Sequence, residues 1–280
     1  MSGQHEVTQL CRVLAVSRSG YYDWLNRQEL PSPHGVENAR LCAQIREVFV
    51  ANEEAYGSPR VTRALHQNGV KCGRNRIARL MRQTGLRGRQ LRRFRVRTTD
   101  SNHSQPIAPN RLLNQPPVSR SNQVWVADIT YVETAAGWLY LAGVMDLFSR
   151  KIVGWATART LETSVVLQAL QMAIAARRPP PGLIVHSDRG VQYASAAHRA
   201  LLTAHQLTAS MSRRANCYDN ATMEAFWSSL KMEKLHRFRF STIAEAHRAI
   251  FHYIEAFYNS RRLHSALGYR TPLDFEAFSN

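Results

Sequence analysis

The sequence predicts an α/β chain, with small all-α modules in front of a mixed-sheet domain. Two observations carry the architecture. The first hundred residues show helix-spaced apolar positions broken by caps and turns. The region after residue 123 shows three apolar, strand-like runs with short connections, then helices and strands in alternation. A third observation concerns partners. The 280 residues hold 37 Lys and Arg against 20 Asp and Glu, a net charge of +17. Residues 1–120 carry 20 basic and 8 acidic side chains, net +12, and residues 121–280 carry 17 and 12, net +5. Such a surface points to a polyanionic partner, nucleic acid above all, with the front half binding and the back half doing something else.

In the front half, Leu10, Val13 and Leu14 have helical spacing, and Ser17 reads as the N-cap of a second short helix through Tyr21, Tyr22 and Leu25. Two short helices across a tight turn are either a helix-turn-helix or a plain helical hairpin. Pro31–Gly35 reads as a linker by composition. From Asn38 a helix runs through Leu41, Ile45, Val48 and Phe49. Gly57-Ser58-Pro59 then stops the chain and restarts it, with Ser58 as cap and Pro59 at the first helical position. The third helix reads Arg74-Asn75-Arg76-Ile77-Ala78-Arg79-Leu80-Met81-Arg82, which completes a winged-helix or helix-turn-helix outline.

Residues 71–97 contain 11 Lys and Arg and no acid. Most of these cations are expected on phosphates, which are read without regard to sequence. Arg74, Arg76 and Arg79 are expected at base edges. Arg82, Arg92 and Arg93 join them in the DNA-contacting set. Residues 98–122 are polar and Pro-containing and read as a linker with little structure of its own.

Val124–Val132, Trp138–Met145 and Lys151–Thr157 read as an antiparallel meander. Glu162–Ala176 follows as a helix and Leu183–Ser187 as a strand. Ala196–His205 reads as a helix, Leu207–Met211 as a short strand, and Asn220–Leu235 as a helix. Three carboxylates stand out. Asp128 shares a strand face with residues 126 and 130, where a bare charge among apolar neighbours is costly. Asp188 ends a strand and is followed by Arg189-Gly190. Glu224, Ser228 and Lys231 share one helix face, beside an apolar face of Met223, Phe226, Trp227 and Leu230. Three converging carboxylates would suit a hard divalent cation such as Mg²⁺. The plainer readings are a turn-forming Asp, a solvated Glu and a surface Lys. Asp146 fits a turn, and Asp219 or Asn220 an N-cap. His186 either faces the same cleft or packs in the core.

The words around these acids are more specific than the acids themselves. Leu-Cys-Arg-Val-Leu-Ala-Val-Ser-Arg-Ser-Gly-Tyr-Tyr (10–22), His-Ser-Asp-Arg-Gly (186–190), Asn-Cys-Tyr-Asp-Asn-Ala (216–221) and Tyr-Asn-Ser-Arg-Arg-Leu-His-Ser-Ala-Leu-Gly-Tyr-Arg-Thr-Pro (258–272) resemble the second-reading-frame (OrfB) product of the IS-three insertion-sequence family. Asp128, Asp188 and Glu224, with 35 residues between the last two, resemble the DDE triad of retroviral-integrase-like transposases. The resemblance spans nearly the whole chain. It departs at Ala215, where the family commonly has Gly, and at Thr222, where Pro is frequent.

The resemblance implies an RNase H-like core with catalytic, metal-binding Asp128, Asp188 and Glu224, and Lys231 as the basic residue near DNA. It implies two Mg²⁺ ions, replaceable by Mn²⁺, about 3.5–4 Å apart, with Asp128 bridging them. The implied reaction is cleavage at the element's ends, then attack of the freed 3′-hydroxyl on DNA. A DNA-binding regulator that keeps the fold without catalysis, or a structure-selective nuclease, are the alternatives.

The expected organisation is a helix-turn-helix at 1–30, a basic helical DNA-binding domain at 38–97, a linker at 98–122, the DDE catalytic core at 123–235, and a C-terminal helix and tail at 236–280 that complete the core. Expected partners are DNA, as terminal inverted repeats and target, and further copies of the chain on that DNA. No coiled-coil segment precedes Val7, so the upstream-frame (OrfA) product is expected as a partner too. Cys11, Cys42, Cys72 and Cys217 are too scattered for a zinc pair and read as free thiols. No apolar run is long enough to span a membrane and no signal-peptide core is present. The expected location is the bacterial cytoplasm, on the nucleoid when bound.

Overall fold

Helix-period apolar residues build the front of the chain, and strand-period residues build the back. The computed structural model describes residues 6–29, 32–88, 104–113, 116–213 and 220–279. The chain divides into two compact units, Met1–Gly88 and Arg89–Asn280. In the first, α1 (Val7–Val13) and α2 (Arg18–Glu29) precede α3 (Pro33–Ala51), α4 (Ser58–Gln67) and α5 (Arg74–Gln83). Leu41, Ile45, Val48 and Phe49 line one face of α3. They bury with Val61 and Leu65 of α4 and Ile77, Leu80 and Met81 of α5. Among the described residues of this unit there is no strand, so the outline is helix-turn-helix and no wing is described.

The predicted caps fare unevenly. Ser17 Oγ accepts from the Gly20 N–H at 3.0 Å, as predicted. The linker predicted over Pro31–Gly35 is instead, from Ser32 onward, the start of α3. Ser32 Oγ accepts from the Gly35 N–H at 3.1 Å, and Pro33 supplies the first-turn proline. Ser58 is not the cap of α4: Gly57 holds that position, with no side-chain cap bond.

The second unit is a five-stranded sheet in the order β3-β2-β1-β4-β5. Its strands are β1 (Val124–Thr134), β2 (Gly137–Asp146), β3 (Ile152–Ala158), β4 (Ile184–Ser187) and β5 (Thr208–Met211). The first three form the predicted antiparallel meander, while β4 joins β1 and β5 joins β4 in parallel. The crossovers are α6 (Thr163–Arg177), then α7 (Val191–Ala194) and α8 (Ala196–Ala204). The chain continues through α9 (Ala221–Glu233) and α10 (Ile243–Phe251), which runs on as a π-helical stretch, His252–Tyr258, and ends in α11 (Pro272–Ser279).

One sheet face packs on α6, through Trp125, Ala127, Val144, Val165, Val166, Leu170 and their neighbours. The approach is close at Gly154, where a Cβ would overlap the Ala169 carbonyl and the Ala173 backbone. β1 and β2 also meet α9 and α10.

Residues 104–113 and 116–123 have no helix or strand, and they are not free of the core. The Arg111 N–H donates to Ser210 Oγ at 2.9 Å, and the Asn122 N–H donates to Asp146 Oδ2 at 2.7 Å. Residues 236–279 are more structured than one helix and a tail. Asn259 brackets edge strand β3, accepting from the Ile152 N–H at 2.9 Å and donating to the Ile152 carbonyl at 3.0 Å. Glu276 of α11 takes a two-pronged bond from Arg177 of α6 at 2.7 and 2.8 Å, and Lys151 lies 3.3 Å away. The deepest lock is Arg262 on Glu233, with two bonds of 2.7 Å, both groups buried, and the Tyr253 hydroxyl donating to the same carboxylate at 2.8 Å.

Candidate active site

β1 and β4 run parallel and in register, and their last paired residues are Val126 and His186. Asp128 and Asp188 each stand two residues beyond that pair. Adjacent strands lie about 4.8 Å apart, so the register places Asp128, within β1, beside Asp188, just past the carboxyl end of β4. Ligands of open α/β sheets gather at such ends.

Asp128 is half-buried, and both its oxygens are engaged. Oδ1 accepts from the Ile129 N–H at 2.9 Å, and Oδ2 accepts from the Trp227 indole N–H at 3.0 Å. Burial raises its pKa from the ordinary 3.8 to about 8, with the Asp188 charge next in weight and Glu224 also contributing. Asp188 opens the turn into α7, its Oδ1 accepting from the Gly190 N–H at 2.9 Å. Glu224 lies in the first turn of α9, exposed, with burial holding its carboxyl above its ordinary range.

The indole reaches Asp128 because the sheet leaves it a slot. Gly143 is the β2 partner of Asp128, and a Cβ there would come within 2.8 Å of the Trp227 ring and 3.2 Å of Met223. The sequence placed Trp227 on the apolar face of α9, which is right for its ring and silent about its N–H. Its one signal was that a buried indole needs an acceptor. Tyr193 is also new. Its ring is buried, its hydroxyl has no hydrogen-bond partner among the described residues, and burial with the charges of Asp128 and Asp188 pushes its pKa well up.

Lys231 is half-buried on α9, with Nζ 4.9 Å above the Tyr131 ring. Burial lowers its pKa, and the Asp128 charge opposes that shift. His186 is a packing residue: it is buried and bridges Ser210 Oγ at 2.8 Å and Ser212 Oγ at 3.1 Å. Asp146 is the predicted turn former, accepting from the Phe148 and Ser149 N–H groups at 3.0 and 3.2 Å. Asn220 occupies the cap position of α9, but its amide donates to the Ala127 carbonyl at 3.4 Å and does not cap the helix. Thr222 accepts from Arg150 at 2.6 Å, a contact proline has no oxygen to make. Ala215, Cys217 and Asp219 lie outside the described residues.

The donor set suits a hard divalent cation. All three acids offer oxygen, and Asp128 is raised toward neutrality first by burial and then by its neighbours' negative charge, a repulsion that a cation removes. Among the described residues no three such groups already stand as a closed metal cluster.

In the front unit, Arg74, Arg79 and Arg82 are exposed on α5. Arg76 is not: its guanidinium bonds Asn38 Oδ1 at 3.0 and 2.8 Å and Glu37 Oε1 at 3.0 Å, bracing α5 against α3. That contact draws the Glu37 carboxyl below its ordinary range. Arg92 and Arg93 lie outside the described residues.

Comparison with known proteins supplies the family. Residues 118–217 and 205–272 match two models described as integrase core domain, and residues 37–94 match one described as HTH-like domain. The chain is 46% identical to the "Insertion element IS600 uncharacterized 31 kDa protein" of Shigella sonnei, over 95% of this chain and 97% of that one. It is 38% identical to "Transposase InsF for insertion sequence IS3A" of Escherichia coli (strain K12), over 98% and 94%. It is 39% identical to "Transposase for insertion sequence element IS904" of Lactococcus lactis, over 89% and 98%. Among solved structures, a simian T-cell lymphotropic virus intasome matches with TM-score 0.49 at 16% identity, covering 77% of this chain and 70% of that one. The HTLV-2 integrase catalytic core domain in complex with magnesium matches with TM-score 0.45 at 16% identity, covering 56% and 97%. The chain belongs to the IS3 family of insertion-sequence transposases, DDE-type polynucleotidyl transferases that carry a helix-turn-helix module and an RNase H-like integrase core.

Proposed function

We propose that Asp128, Asp188 and Glu224 hold Mg²⁺ and that the chain cleaves insertion-sequence ends and transfers the freed 3′-hydroxyl into DNA. The observation that carries this reading is the pair of acids on parallel neighbours, Asp128 within β1 and Asp188 just past the end of β4, with α9 bringing the charge of Glu224 to bear on Asp128. Bound there, two Mg²⁺ ions would supply the Lewis acidity that activates the attacking oxygen and stabilises the leaving one, with Mn²⁺ able to replace them. The chain's own part is to orient. Ile129 and Trp227 fix the plane of the Asp128 carboxylate, Gly190 fixes that of Asp188, and exposed Glu224 would complete the cation's ligands. Lys231 faces DNA phosphate beside the acids. Arg74, Arg79 and Arg82 contact the terminal inverted repeats, and Arg76 serves as the brace that sets α5. Arg92 and Arg93 extend the phosphate contacts. Further copies of the chain and the upstream-frame product join the complex, on the nucleoid in the bacterial cytoplasm.

The test is a strand-transfer assay with duplexes bearing the element's ends, a target plasmid and Mg²⁺, run with and without the upstream-frame product. Joined products support the reading. Nicks without joining turn it into a nuclease, and inactivity under both conditions overturns it. A second measurement isolates Trp227. Trp227→Phe keeps the ring in its slot and removes the N–H, so Mg²⁺ affinity by titration calorimetry should fall about tenfold. An unchanged affinity would leave Trp227 a packing residue only.

A further inference from the structure

Past the end of α9 the chain reads Lys234-Leu235-His236-Arg237-Phe238-Arg239-Phe240, cations and apolar residues interleaved with no acid. Leu235 and Phe240 are buried and anchor the segment, while Phe238 between them is 54% exposed. The Arg237 guanidinium lies 5.8 Å from the Phe238 ring centre. The segment is stitched to the β1–β2 hairpin, whose Ala135 N–H donates to the Phe240 carbonyl at 2.9 Å. On that hairpin Trp138 is 49% exposed and stands edge-on to Tyr131, with ring centres 5.0 Å apart and planes at 85°. Tyr131 is the ring that receives the Lys231 ammonium at 4.9 Å.

A single exposed aromatic means little. Two on neighbouring segments make a specific chemistry: Phe238 stands between Arg237 and Arg239, and Trp138, opposite Glu133 across the hairpin, is linked through Tyr131 to Lys231. Exposed π-faces with interleaved Lys and Arg are how proteins bind unpaired nucleotides: the rings stack bases and the cations track phosphates. Paired bases are already stacked on each other, so a duplex has no free face to offer.

We propose that Trp138 and Phe238, with Lys231, Arg237 and Arg239, form a stacking platform for unpaired nucleotides of the DNA strand that passes the acids. The proposal rests on the reading of Asp128, Asp188 and Glu224 as a DNA-processing centre, because Lys231 joins the two. A second copy of this chain fits the surface less well. Cores of protein interfaces are depleted of charge, and a two-fold contact here would set like charges against each other.

The test is binding by the full chain in EDTA, so that it does not depend on metal or catalysis. The probes are a fluorescein-labelled blunt duplex and the same duplex with a thymidine overhang of about five nucleotides on the 3′ or the 5′ strand. One overhang should bind at least about fivefold tighter than the blunt end. Trp138→Ala and Phe238→Ala should erase that gain with blunt binding unchanged, and Trp138→Phe should keep it. Equal binding of blunt and overhanging DNA by the native chain would overturn the proposal. So would Trp138→Ala and Phe238→Ala variants that fold, by their melting curves, and keep the gain. A Trp138→Ala chain that loses self-association while keeping the gain identifies a protein interface instead. A failed strand-transfer assay beside a positive overhang result strikes the catalytic reading alone.

Discussion

Asp128→Asn will abolish Mg²⁺-dependent cleavage and joining, by at least about 10³-fold, with binding to DNA ends intact. The same substitution will stabilise the metal-free protein at high pH. The Asp128 carboxyl is raised from 3.8 to about 8. Between about pH 4 and pH 8 the folded chain keeps a proton there that the unfolded chain has released. Unfolding therefore loses a proton, and this group's contribution to stability falls as pH rises through that window. Asparagine carries no charge and still accepts from the Trp227 N–H, so the variant should melt a few degrees above the native chain at pH 8 and alongside it near pH 4. Added Mg²⁺ should then raise the melting temperature of the native chain and not that of the variant. Thermal unfolding at two pH values, with EDTA or Mg²⁺, reads all of this. Normal strand transfer by the variant would sink the assignment of Asp128.

Arg262→Ala will destabilise the second unit by about 3–5 kcal/mol, a fall in melting temperature on the order of 10 °C. The substitution strands the Glu233 carboxylate in the interior, where Arg262 had bonded both its oxygens. The cost comes from the charge left behind more than from the attraction lost, so removing both partners should be milder than removing one. Glu233→Met with Arg262→Met should recover much of the loss. Urea unfolding of the native chain, both single variants and the pair measures the coupling. Additive losses would show that the two groups act independently. Glu233 closes the helix that carries Glu224, Trp227 and Lys231, so the single variant should also weaken strand transfer.

The sheet was legible because its runs alternate or bury outright, as in Val124–Val132, and the front helices because their apolar spacing is regular. Asp128 was legible as an acid within a strand and Asp188 as one at a strand end. That they stand side by side was not, because the parallel pairing of Val126 with His186 links segments about sixty residues apart, beyond any local pattern. The same non-locality hid the slot at Gly143 and the indole hydrogen bond inside it. Arg76 shows a different limit. A run of cations does not reveal which member has a partner, and Glu37 and Asn38 lie nearly forty residues upstream. Caps were legible only where the side chain had no better acceptor or donor. Ser17 caps its helix, while Asn220 turns to the strand beside it.

The bond between Glu233 and Arg262 also sets an order in time. A ribosome makes every residue of the three acids before it reaches Arg262, and 29 positions separate that arginine from the carboxylate it holds. Chains fold as they emerge, earlier segments first. A nascent chain can therefore display its basic front module while the helix bearing Glu224 still lacks its anchor. An mRNA cut or a stop codon ahead of Arg262 would yield a chain with its helix-turn-helix module and an unfinished core and, on the proposed function, a competitor for the element's ends in place of a cutter.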